Sequence, residues 1–106
     1  MTAVLSQIDL DKNRFIGYDG NYATDGARAK GILKFNQAAG KMCTLVRTGT
    51  ALLELAEAVT VVGAELKTDS DGKGALAVAG DYVAAIALYT GGVGSTIEVE
   101  IVKYKI

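Results

Sequence analysis

The residues best placed for chemistry are a pair of aspartates, a pair of glutamates, one cysteine and a glycine-rich stretch. A calcium loop of the EF-hand type needs oxygen ligands at fixed positions and a closing glutamate. Asp69-Ser70-Asp71-Gly72 matches its middle, but Lys67 and Val78 stand where the pattern needs acids. The segment therefore reads as an Asp-Gly turn, with no metal ligand set. Glu98 and Glu100 alternate along one stretch and would share a strand face. Nothing in the sequence separates their protonation behaviour, so they read as a solvated face and not as an acid–base pair. With one cysteine, Cys43, there is no intrachain disulfide. With no histidine there is no Ser-His or Cys-His pair and no imidazole metal site. Gly91-Gly92-Val93-Gly94-Ser95 is glycine-rich, but strand-like sequence follows it where a nucleotide fold needs a helix. The basic residues Arg28, Lys30, Lys34, Lys41 and Arg47 are spread along the first half. No aromatic set is interleaved with them as single-strand binding needs. The expectation is a protein without enzymatic activity, catalytic residues, cofactor or metal, and without a nucleic-acid partner.

The elements that would position any site follow from size and patterning. The chain has 106 residues, half of them apolar and 22% charged, which suits one small globular domain. A core of that size is modest, and association between subunits would add burial. The formal net charge is -1. Its distribution is uneven: residues 1–53 hold seven Lys/Arg against four Asp/Glu, residues 54–106 four against eight. No apolar stretch is long enough to span a bilayer, and the opening residues do not follow a signal-peptide pattern, so no membrane partner is expected.

Glycines and Asp-Gly pairs punctuate the chain at Asp19-Gly20, Asp25-Gly26, Ala39-Gly40, Asp71-Gly72 and Gly91-Gly92. Short Val/Ile/Leu/Tyr-rich runs lie between them, a pattern of strands and not of long helices. Near the C-terminus Ile97, Val99 and Ile101 alternate with glutamates, and then Val102, Tyr104 and Ile106 take over as the apolar set. A change of face within one strand needs an extra residue, so a β-bulge is expected near Ile101–Val102.

An offset of 54 residues superposes Ala23 on Ala77, Gly26 on Gly80, Ile32 on Ile86, Phe35 on Tyr89 and Gly40 on Gly94. It also places Cys43 on Ile97 and Leu45 on Val99, which makes Cys43 a core residue. Strands are expected over 28–35, 42–47, 82–89 and 96–102. Between the copies, Leu52, Leu55, Ala56 and Val59 fall at helical spacing, so a strand end followed by a short helical turn is expected over 50–62. The predicted fold is mainly β: a small single-domain barrel or sandwich of two related halves, with at most one short helix. Residues 13–106 would form the domain. Residues 1–12 would form a flexible N-terminal arm that orders on a partner and adds to its sheet, the plainer alternative being a frayed tail or an edge strand.

The stretch from Ile8 to Leu55 resembles the head decoration proteins of lambda-like phages. The likeness lies in Asp19-Gly20, Thr24-Asp25-Gly26-Ala27, Gly31-Ile32-Leu33, Gln37-Ala38-Ala39-Gly40 and Arg47-Thr48-Gly49. The second half is similar in style to phage capsid cement proteins. Unlike the lambda type, this chain has no proline and no tryptophan. The resemblance implies a structural protein made in the host cytoplasm and carried on the outer capsid surface of the virion. It would be a trimer, or a dimer as in related cement proteins, and its partner the major capsid protein. The arm would order on the shell, with Val4, Leu5 and Ile8 as apolar anchors. Two other readings are a phage tail or baseplate component and a small ligand-binding β-domain.

Overall fold

The computed structural model describes residues 2–106, with side chains from Leu5 onward. Among the described residues, nine strands form two antiparallel sheets and there is no helix. The strands are β1 (Thr2–Leu5), β2 (Phe15–Ile16), β3 (Gly31–Leu33), β4 (Met42–Val46), β5 (Thr50–Glu54), β6 (Glu65–Thr68), β7 (Gly74–Leu76), β8 (Tyr82–Ala87) and β9 (Thr96–Lys105). Sheet 1 runs β1-β4-β3-β2 and sheet 2 runs β5-β9-β8-β6-β7. The mainly β, two-halved fold expected from the sequence is present, and neither sheet closes into a barrel.

The repeat is visible in the strand register. Ile32↔Val46 and Leu33↔Leu45 of β3–β4 recur 54 residues later as Ile86↔Glu100 and Ala87↔Val99 of β8–β9. The outer strands repeat at shorter offsets. Leu5↔Met42 of β1–β4 corresponds to Glu54↔Thr96 of β5–β9, and Phe15↔Ile32 to Glu65↔Ile86. The isolated bridge Leu10↔Gln37 recurs as Val59↔Gly91. The offset changes by one residue between Leu10 and Phe15 and by four at one hairpin. Ile16 bridges Tyr22, whereas its counterpart Leu66 pairs with Leu76, so the second hairpin spans four more residues and gains β7 as a strand.

Burial follows the same correspondence. Leu10, Ile16, Leu33, Cys43 and Leu45 form the core of the first half. Their counterparts Val59, Leu66, Ala87, Ile97 and Val99 belong to the core of the second. Phe15, Ala23, Ala29 and Ile32 of the first half join this second cluster, so the larger core also fills the junction between the sheets. Polar contacts close the same junction. The Phe15 amide donates to the Gly72 carbonyl (2.6 Å), Glu54 to Asn13 (2.8 Å), Tyr82 to Gly26 (3.0 Å) and Ile101 to Gly49 (2.8 Å). The buried Thr68 hydroxyl donates to the Thr24 carbonyl. Glu54 receives Arg14 (3.6 Å) and Lys73 (3.4 Å), and Lys67 bridges Asp25 (2.8 Å) and Asp81 (3.6 Å).

Two local expectations have different outcomes. The bulge is present: Val83 pairs with Tyr104 and Ala85 with Ile101, so β9 carries an extra residue at Val102–Lys103. The helical turn within 50–62 is not. After β5, Leu55 bridges Gly74 and Val59 bridges Gly91, as Leu10 bridges Gln37 in the first half. The segment must cross its half-core to place Val59 inside it, and an extended chain covers that span where a helical turn would be too short. The strand expected over 28–35 is shorter, Gly31–Leu33, and that over 96–102 runs on to Lys105.

Candidate functional site

The segment expected to act as an arm lies along sheet 1 from Thr2 onward. The β1 strand pairs with β4 and ends the strand order, so its outer edge meets no neighbouring strand. The next residues are pinned. The buried Ser6 hydroxyl donates to the Ala38 carbonyl (2.7 Å), the Asp9 carboxylate accepts the Ala39 amide (2.9 Å), and Leu10 is buried. Of the three expected anchors, the side chain of Val4 lies outside the described ones. Leu5 and Ile8 are 47% and 44% exposed. Leu5 stands directly opposite Met42, itself 58% exposed, so the two make an apolar pair across the edge strand β1 and its neighbour β4. The corresponding pair in the second half is polar, Glu54 opposite Thr96, and Glu54 is drawn into the junction. At this position the two edges have diverged, although β5 also exposes an apolar side chain at Leu52.

The residues singled out for chemistry are accounted for structurally. One Asp69 carboxylate oxygen accepts the amides of Asp71 (2.9 Å) and Lys73 (2.8 Å), closing the β6–β7 turn. Glu98 and Glu100 lie opposite Leu52 and Thr50 on β5. Cys43 is buried in the first core; burial pushes its thiol up, against a hydrogen bond with Ser6.

A second surface was not expected. Arg28, Lys30 and Arg47 come from the first half and Lys103 and Lys105 from the second, and the packing of the halves gathers them around two tyrosines. Arg28, Lys30 and Lys103 lie 5.7, 5.9 and 5.8 Å from the centre of the Tyr18 ring. Arg28 and Lys105 lie 6.0 and 5.4 Å from that of Tyr82. Lys103 sits in the β9 bulge, a device that re-aims a side chain. What burial Tyr18 has acts to raise its pKa, but Lys103, Arg28 and Arg47 together bring it below the ordinary 10.0. Beneath the cations a cavity of about 240 Å³ opens between the sheets, with Phe15, Ala29, Ile32, Val83, Ala84 and Ile101 on its wall. Along the sequence Arg28, Lys30 and Arg47 are spread out, and Lys103 and Lys105 lie far from them. In space they form a cluster with interleaved aromatics.

No protein-family profile and no curated protein matches the chain at the level of sequence. A search of solved structures finds the N base of the head fiber protein gp8.5 of bacteriophage phi29. It is similar with a TM-score of 0.78 over 99% of this chain and 95% of that one, at 15% sequence identity. At that identity the likeness is one of fold.

Proposed function

We propose that the protein is a non-enzymatic structural component of a phage head, a decoration or cement protein held on the outer surface of the shell by the major capsid protein. The observation that carries this reading is the near full-length likeness to a phage head fiber base. The turn motifs that resemble those of lambda-like decoration proteins support it from a separate direction. The surface that suits the role is the open edge of β1 with Leu5, Ile8 and Met42. Such an edge accepts a partner strand through its backbone, and the apolar side chains add burial on one face. Self-association as a trimer would multiply the contact, so that weak single engagements resist internal pressure by avidity. The same likeness favours a second reading, in which this domain is the base of a longer fiber.

Co-sedimentation of the purified chain with isolated heads tests the reading. Saturable binding is expected, and Leu5→Glu with Met42→Glu should weaken it by at least about tenfold, since burying each side chain is worth roughly 1.5–3 kcal/mol. Failure of the unaltered chain to bind heads of its own phage would overturn it.

A further inference from the structure

Among the described residues, Arg28, Lys103 and Lys105 enter no ion pair. The neighbouring acids are committed elsewhere. Asp19 accepts the Asn21 amide (3.1 Å), Asp25 and Asp81 hold Lys67, and Glu65 accepts the Tyr104 hydroxyl (2.6 Å). Arg28 and Lys103 lie within 6 Å of the same ring centre and repel one another, and an anion at that mouth would relieve the repulsion. Directly below lies an apolar cavity with room for one large side chain. A site with a cationic rim and an apolar floor selects a ligand that carries both features.

We propose that this cleft between the two halves docks an acidic polypeptide segment, which inserts one apolar side chain between Ile32 and Ala84 while its carboxylates meet Arg28 and Lys103. Nucleic acid fits less well. The cations crowd one mouth and do not track a groove, and the chain is net negative. The assignment does not depend on head binding: a chain with no affinity for heads would still take the segment.

The test is an NMR amide titration of the full chain with the peptide acetyl-Glu-Glu-Leu-Glu-Glu-amide. Saturable shifts are expected at Ala29, Ala84 and Lys103, weakening as salt screens the charges. Replacing the central Leu by Gly, or the acids by Lys, should lower affinity by at least about tenfold. Arg28→Glu and Lys103→Glu, both at exposed positions, should abolish the shifts while keeping a dispersed spectrum, and Lys34→Glu should keep them. Absence of saturation at millimolar peptide would overturn the proposal. So would equal binding of the glycine peptide, or tighter binding of an oligothymidylate at the same amides.

Discussion

At the residue scale, Tyr18 and Tyr104 differ in the charge around them. The cations above Tyr18 favour its phenolate, so it should ionise first. The Tyr104 hydroxyl donates to Glu65, and that hydrogen bond, with burial and the carboxylate's charge, holds its proton beyond the usual range. A titration followed by phenolate absorbance should therefore begin below pH 10, and Tyr18→Phe should remove that first step. Added salt should move the step back up. The sign for stability follows from proton counts. Between the lowered Tyr18 pKa and 10.0 the folded chain binds fewer protons than the unfolded one, so this group favours folding as pH rises. Tyr104 acts in the opposite sense: its folded form keeps a proton that the unfolded chain has lost, so its contribution falls as pH rises above 10.0. A first step that survives Tyr18→Phe would place the cations elsewhere.

At the element scale, the two halves offer paired positions that differ in one respect at a time. Gly26 and Gly80 correspond, and both adopt the left-handed backbone, with φ of 67° and 95°. A methyl group at Gly80 meets nothing within 4 Å, whereas at Gly26 it would sit 2.5 Å from the Asp81 carboxylate. That carboxylate is held by the Val78 amide and Lys67. Gly80→Ala should cost about 1–2 kcal/mol for backbone conformation alone. Gly26→Ala should cost roughly 1 kcal/mol more, read as a lower denaturation midpoint with unchanged slope. Equal costs would mean that Asp81 moves aside freely. The repeat itself could be read from the sequence because turn glycines and apolar alternation are local signals. Cys43 could be assigned to the core only because the repeat placed it on Ile97. The shorter offsets of β1 and β2 were hidden, since the hairpin between Ile16 and Tyr22 changes length and, at an offset of 50, matches its partner only in Asp19 on Asp69. Leu52, Leu55 and Val59 suggested a helix because the spacing of their apolar neighbours fits either element. Tertiary demand for Val59 in the core decided for an extended chain.

At the scale of the whole molecule, the halves are interlocked and not merely adjacent. The first half keeps a five-residue core of its own, but its Phe15 and Ile32 are buried in the larger cluster of the second. Arg14, Glu54 and Lys73 clasp the junction, and Arg14 also stacks on Tyr22 at 5.1 Å. Calorimetry should give one unfolding transition, with calorimetric and van't Hoff enthalpies equal. Glu54→Gln should lower stability by between about 1 and 3 kcal/mol, because the clasp is intermediate between an exposed and a buried pair. Two separate transitions would mean that the halves fold independently. This interlocking also explains why the cation cluster escaped the sequence reading: Arg28 and Lys103 meet only after the halves pack, and no local pattern records that.

The head-surface reading makes one demand that a micrograph can meet. Cryo-electron microscopy of heads saturated with the chain should show two-lobed density on the outer shell surface, at repeated positions between capsomers. The β1 edge with Leu5 and Met42 should face the major capsid protein. Bare shells, or density confined to the tail, would contradict it.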